Sequence, residues 1–354
     1  MKVLVVGAGP TGLTAALALA KGGVACRIVE RRTAPSELSR AVGIMPVTIE
    51  ALGKWGAGDA IVAEAMAIKK VHLARSARPL MQLDNSAPQF ADRTMRGLPQ
   101  NRTEEILRDA LTASGVEVEY GLSVDDISAT DDAARVAFSD GTEARYDWVI
   151  GADGIGSTVR QKMGIAYPGL DLPDVWSIAD VDIDGPFDPE KILLDVQQPG
   201  NAFIMALPIE KRRARIVSST PDALSALNYP LKIGAVRRTG TFTISVRQAE
   251  TYTKGRVLLA GDAAHCHSPM GGKGMNLGVA DAVAAAEAIL NGTTATYSDA
   301  RHAVGQRVMK NTEIGRKLVT SNALWAKALI SVVTKMIAAL PGGRQVFLRG
   351  LTQL

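Results

Sequence analysis

Three glycines at fixed spacing are the first residues in this chain whose placement could do chemistry. In Gly7-Ala8-Gly9-Pro10-Thr11-Gly12 they occupy the glycine positions of a GxGxxG run. The first permits a tight turn, the second lets backbone approach a pyrophosphate, and the third lets a helix pack close to a strand. The N-terminus of that helix then faces the anion. Glu30 follows Gly12 by 18 positions, where a carboxylate can accept hydrogen bonds from both ribose hydroxyls of an adenosine. An acid there argues for NAD or FAD over NADP as the dinucleotide.

Two later stretches have the same character. In Trp148-Val149-Ile150-Gly151-Ala152-Asp153-Gly154-Ile155-Gly156-Ser157, an apolar run ends in small residues and a helix N-cap, Ser157. Backbone could approach a ligand closely here, and locally Asp153 reads as a capping acid for the following helix. In Gly255-Arg256-Val257-Leu258-Leu259-Ala260-Gly261-Asp262 the pattern repeats, and a glycine-rich loop follows from His267 through Pro269, Gly272, Lys273, Gly274 and Met275 to Asn276. His265 and His267 form an HxH pair, but no acid or cysteine stands at metal spacing, so they read as packing and no metal site is assigned. Met270 and Met275 read as wall residues, because methionine fills irregular gaps. Arg40 is either a phosphate contact or a surface arginine; nothing local decides between the two. No nucleophile and no acid–base triad is evident.

The elements that must position these residues alternate strand and helix. Residues 3–6 and 25–29 read as buried parallel strands, because they are short apolar runs with β-branched residues. Between them, 13–20 is a helix of Ala and Leu stopped by Gly22-Gly23. Pro46 opens a helix that ends before Gly56. Residues 100–114 form another helix, and 116–120, 124–127, 134–138 and 143–150 form strands, with Asp140-Gly141 as a hairpin turn. Residues 68–98 suggest strands of an inserted sheet, 175–248 is mainly β, and 277–290 and 298–340 are helical. The expected fold class is therefore α/β: a Rossmann-like dinucleotide-binding domain with an inserted β-rich domain and a C-terminal helix. The expected division is 1–70, 98–165 and 250–295 for the first, 71–97 and 166–249 for the second, and 296–354 for the helical segment.

Composition limits the alternatives. The 354 residues are 47% hydrophobic and 21% charged, with 40 basic against 36 acidic side chains, as in an ordinary globular protein. The basic clusters are short and not interleaved with aromatics, which excludes a nucleic-acid surface. Two cysteines without CxxC spacing suggest a reduced, cytoplasmic setting, and a chain that opens on a strand suggests no signal peptide. The apolar stretch 323–340 is interrupted by Lys327 and Lys335, so an amphipathic helix packed on the second domain is expected rather than a membrane attachment.

Taken together, GAGPTG with Glu30, the motif around Asp153-Gly154, and GRVLLAGDAAH followed by PMGGKGMN resemble the FAD-dependent aromatic hydroxylases, single-component flavoprotein monooxygenases of the para-hydroxybenzoate hydroxylase and phenol hydroxylase type. The likeness covers most of residues 1–290 and is nearest to the branch acting on phenols and polyketide aromatics. It implies a Rossmann-like FAD-binding domain with an inserted β-rich substrate domain and a C-terminal helix, in which Gly7, Gly9, Pro10, Thr11, Gly12 and Glu30 hold the ADP half of FAD, with Arg31 beside the ribose. Arg40 would neutralise the pyrophosphate or dock the nicotinamide nucleotide, and Gln100 would lie on the flavin side. Asp153 would shape the site between FAD and NAD(P)H. Gly261 and Asp262 would meet the ribityl chain or pyrophosphate, and residues 269–276 would line the isoalloxazine. Lys273 would favour anionic reduced flavin. The chemistry implied is the cofactor's: NAD(P)H reduces FAD, O2 adds to give a C4a-hydroperoxide, and one oxygen passes to a small aromatic substrate. Two other readings stay open, an FAD-dependent reductase of an unsaturated substrate and a non-catalytic flavin-binding protein. Halogenases are set aside because their Trp-x-Trp-x-Ile-Pro motif is absent. Compared with the phenol hydroxylases, no thioredoxin-like domain is expected within these 354 residues, and the segment 220–241 looks short.

Overall fold

A computed structural model describes residues 1–36, 41–87, 94–198 and 202–339. The helices are α1 (Pro10–Lys21), α2 (Pro46–Lys54), α3 (Gly58–Glu64), α4 (Gln100–Thr112), α5 (Thr158–Lys162), α6 (Ala223–Ala226), α7 (Lys273–Asn291), α8 (Tyr297–Thr320) and α9 (Leu324–Ala339).

The central sheet has six strands in the spatial order Thr253–Lys254, Val257–Leu259, Trp148–Gly151, Lys2–Val6, Ala25–Glu30, Val118–Tyr120. Every pairing is parallel except that of Thr253–Lys254 with its neighbour. Val3, Leu4, Val5, Val149, Ile150, Val257 and Leu258 are fully buried, as expected for strands covered on both faces. Strand order reverses about Lys2–Val6, where the chain leaves toward Ala25–Glu30 and later returns on the other side at Trp148–Gly151. A crevice at the carboxyl ends of strands on either side of such a reversal is where ligands bind in open α/β sheets.

The second large sheet has eight strands: His265–Cys266, Ile233–Gln248, Gly169–Ile183, Arg213–Ser218, Ala202–Glu210, Lys191–Gln198, Lys70–Arg75 and Arg78–Asp84. Its two faces carry separate cores because alternate residues point to opposite sides. One face gathers Ala179, Val181, Leu193, Ala206 and Ile216 under Phe187, Tyr229 and Leu231. The other gathers Trp176, Ile178, Phe203, Val217 and Ile244 against Met270, Leu318 and Ile330. Met270 comes from the glycine-rich loop, and Leu318 and Ile330 come from α8 and α9, so this second face looks toward the expected cofactor loop. The strand His265–Cys266 also joins this sheet, although the Gly-Asp motif immediately before it ends a strand of the central one. Two smaller three-stranded sheets complete the fold, one of them the 124–146 meander with its turn at Asp140-Gly141.

Helix α9 packs on the second sheet. Arg75 donates to the Lys327 carbonyl at 2.9 Å and to Ser331 Oγ at 3.2 Å. No helix among the described residues is long and apolar enough to cross a membrane.

Candidate cofactor and active site

Helix α1 begins at Pro10, three residues earlier than composition predicts, because proline has its φ preset for the first helical position and lacks the N–H that would go unsatisfied there. Gly9 is the N-cap residue, with no side chain capping the helix. A Cβ on Gly9 would meet no atom within 4 Å, so this helix terminus opens onto space. Its neighbours differ. Gly7 has φ 101°, and a Cβ on Gly12 would lie 1.8 Å from the Gly7 carbonyl oxygen. Open space over one glycine and close contact at the other two is the shape required by an anion lying against the helix terminus.

Glu30 is 6% exposed. Its carboxylate accepts from the Ala8 N–H at 2.9 Å, from the Arg32 N–H at 2.9 Å and from Arg32 Nε at 3.0 Å. Burial pulls its pKa upward, but Arg32 and the two amides outweigh it and hold the group below the usual carboxylate range. The arginine that meets Glu30 is therefore Arg32, and Arg31 is exposed to solvent. Arg40 lies outside the described residues. Gln100, at the start of α4, accepts from the Ala41 N–H at 3.1 Å and donates to Glu104 at 2.9 Å. It thus braces the segment that follows Arg40.

Asp153 does cap α5: its Oδ2 accepts from the Val159 N–H at 3.1 Å, while the Ser157 hydroxyl accepts from the Arg160 N–H. Asp153 Oδ1 is buried without a hydrogen-bond partner among the described residues, and desolvation raises the carboxyl pKa. Arg160, 4% exposed, donates to the carbonyls of Ala263 (2.9 Å) and Ile155 (2.8 Å), and its guanidinium lies 3.8 Å from the Tyr167 ring centroid. The Tyr167 hydroxyl in turn donates to the Asp262 carbonyl at 2.9 Å. These contacts join the second motif to the third. At the third, Gly261 has φ 62° and Asp262 is exposed.

The glycine-rich loop turns at Gly271 and Gly272, with φ 78° and 62°, and runs into α7 at Lys273. Asn276 is fully buried. It accepts from the Met45 N–H at 2.8 Å and donates to the carbonyls of Gly43 (2.9 Å) and Gly272 (2.8 Å), so it fixes the loop's shape. Pro269, Lys273, Gly274 and Met275 are half-buried. Burial, with Arg307 nearby, lowers the Lys273 pKa. His265 Nε2 bonds Asp281 at 2.5 Å, and His267 Nδ1 bonds the Ser268 carbonyl at 2.8 Å.

One side chain joins the first motif to the third and to α7. Cβ atoms built on Gly261 and Gly278 would lie 2.6 and 2.4 Å from Thr11 Oγ1, so the helix N-terminus of the first motif, the Gly-Asp turn and the first turns of α7 touch at Thr11. Sequence reasoning misses Arg32, Arg160 and Asp281 here. For Asp281 a signal exists: it falls on the stripe Leu277, Asp281, Ala285 of an Ala-rich helix, where a core-facing side chain belongs.

Comparison with known proteins agrees with this geometry. Residues 1–226 and 223–312 match the family model described as FAD binding domain. An aromatic compound monooxygenase of Bacillus subtilis (strain 168), itself uncharacterised, is 30% identical over 93% of this chain and 71% of its own length. The structure of the OxyS anhydrotetracycline hydroxylase from Streptomyces rimosus is 29% identical, with a TM-score of 0.79 over 99% of this chain and 76% of that one. The p-nitrophenol 4-monooxygenase PnpA from Pseudomonas putida DLL-E4 shares the fold, with a TM-score of 0.86 over 98% of this chain and 96% of that one, at 24% identity.

Proposed function

The chain belongs to the FAD-dependent aromatic hydroxylase family, and we propose that it uses NAD(P)H and O2 to place one oxygen atom on a phenolic or polyketide-like ring. The relatives named above, on an aromatic compound and on anhydrotetracycline, support that substrate class. FAD, when bound, supplies the electron transfer and oxygen activation; the protein binds, orients and excludes water.

In this reading Gly7, Gly9, Pro10, Thr11 and Gly12 present the α1 terminus to the pyrophosphate. Glu30 and Arg32 meet the ribose. Asp153 and Asp262, on turns tied together through Arg160 and Tyr167, border the middle of the cofactor. Pro269, Gly272, Gly274 and Met275 lie along the ring system, Asn276 keeps the loop in shape, and Lys273 adds positive charge beside it. The aromatic face around Trp176, Phe203 and Phe242, into which Met270 packs, forms the wall that keeps water from the reacting atoms. Gln100 braces Ala41, and Arg40 is assigned to the pyrophosphate or the nicotinamide nucleotide. We also place the protein in the cytoplasm, consistent with Cys26 and Cys266 both being free thiols.

The observation that carries the proposal is that the first motif meets the second at Gly7, where a Cβ would lie 2.5 Å from the Ala152 carbonyl oxygen, and the third at Thr11, both at one end of the central sheet. The test is an anaerobic visible spectrum of the purified protein before and after NADPH or NADH, followed by a phenol panel under oxygen. Flavin bands that bleach, with a hydroxylated product, support it. Reduction of an unsaturated substrate without oxygen uptake would make the protein a reductase. Bands that persist with both nucleotides and every phenol would leave a non-catalytic flavoprotein.

A further inference from the structure

Asp281 is fully buried, and its hydrogen-bond partners are an imidazole, a guanidinium and one backbone N–H. Its Oδ2 accepts from His265 Nε2 at 2.5 Å and from the Gly261 N–H at 3.1 Å; its Oδ1 accepts from Arg301 Nε at 2.6 Å. One carboxylate thus joins α7, α8, the strand His265–Cys266 and the Gly-Asp turn. Burial opposes its ionisation, but His265 and Arg301 together keep its pKa below the ordinary range. A buried ion cluster of this kind is weak evidence for stability, since hydrophobic replacements often do as well; what it does supply is a fixed geometry. Here the geometry fixed is that of Gly261, whose left-handed backbone sits against Thr11. Asp281 lies three residues, about one helical turn, beyond Gly278, the other glycine in contact with Thr11.

We propose that Asp281 is a positioning residue for the cofactor: it holds the Gly261–Asp262 turn against the N-terminus of α1, so that both motifs face the dinucleotide in one register. The inference rests on the reading of that turn as a cofactor contact. Arg301 serves as the comparison, because it shares the ion cluster but does not touch Gly261.

The experiment follows FAD release from the diluted holoenzyme by the rise in flavin fluorescence. Asp281→Ala loses all three bonds, that to the Gly261 N–H included, and is expected to speed release at least about tenfold. Arg301→Gln keeps the Asp281–Gly261 bond and is expected to change release by about threefold or less, even where it lowers the melting temperature as much. The bound-flavin absorption band should shift in Asp281→Ala and stay in place in Arg301→Gln. Equal acceleration in both variants, or none in Asp281→Ala, overturns the proposal. If Asp281→Ala does not fold, exchange of the Gly261 amide in the wild-type holoenzyme decides: strong protection supports the bond, and rapid exchange overturns it. A wild-type chain that holds no flavin overturns the reading of the turn itself.

Discussion

At the scale of single residues, the two glycines of the first motif make opposite demands. Gly12 has no room for a methyl group because the Gly7 carbonyl fills it, whereas Gly9 has room that only a ligand would use. Gly12→Ala is therefore expected to yield protein that misfolds or purifies without flavin. Gly9→Ala should keep its stability within about 0.5 kcal/mol of the wild type and still bind FAD at least about tenfold more weakly. Thermal melting beside flavin titration separates the two, and a Gly9→Ala protein with normal affinity would place the pyrophosphate elsewhere. The spacing of Gly7, Gly9, Gly12 and Glu30 is legible in the sequence because each demand is local, a turn or a terminus a few residues long. Which arginine meets Glu30 is not: Arg31 and Arg32 are adjacent, and only the turn of the chain after the strand decides that Arg32 folds back.

At the scale of elements, legibility follows the same division. The helices at 46–54 and 100–112 stand out because proline and glycine punctuate them and their apolar residues keep helical spacing. The strands Gly169–Ile183 and Ile233–Gln248 are long, and their pairing register shifts at several points. Pro173, Gly234 and Gly240 interrupt the alternation that would announce one continuous strand. Helix α7 starts at Lys273 although Gly274 and Asn276 are poor helix formers, because Asn276 is anchored to Gly43, Met45 and Gly272. A tertiary anchor of that kind leaves no local trace. Helix α9 depends on another, Arg75. Its outward stripe of Trp325, Leu329, Val332 and Met336 is exposed, so its attachment rests on the inward face and on Arg75. Arg75→Ala should accelerate amide exchange in α9 by about tenfold, the equivalent of about 1.4 kcal/mol of local opening, with little change in the central sheet. Uniform acceleration across the chain would show that α9 is not a separate unit.

At the scale of the whole molecule, buried ionisable groups set the acid limb of stability. His267 is half-buried, with its Nε2 shut off from solvent and without a hydrogen-bond partner among the described residues, and desolvation lowers its pKa from 6.5 to about 4. Between those values the unfolded chain binds a proton that the folded chain does not, so stability falls as pH drops through that window. At pH 5 the loss is about 2 kcal/mol relative to pH 7, at about 1.4 kcal/mol per pH unit below 6.5. Asp281 and Glu30 have lowered pKa values. Their contributions are complete above the ordinary carboxylate range and fade below it, adding a second, more acidic decline. Melting temperature against pH should show both stages. His267→Gln should flatten the first only, and an unchanged profile would remove His267 as its source.

The contact at Thr11 also fixes a moment in the life of the chain. Thr11 leaves the ribosome about 250 residues ahead of its partners Gly261 and Gly278, of the Val257–Leu259 strand beside Trp148–Gly151 and of the Asp281 carboxylate. Contacts of such sequence separation form slowly and late. On the function proposed above, the nascent chain then carries only part of the dinucleotide cradle until α7 emerges and docks, and flavin capture becomes the signal of that step.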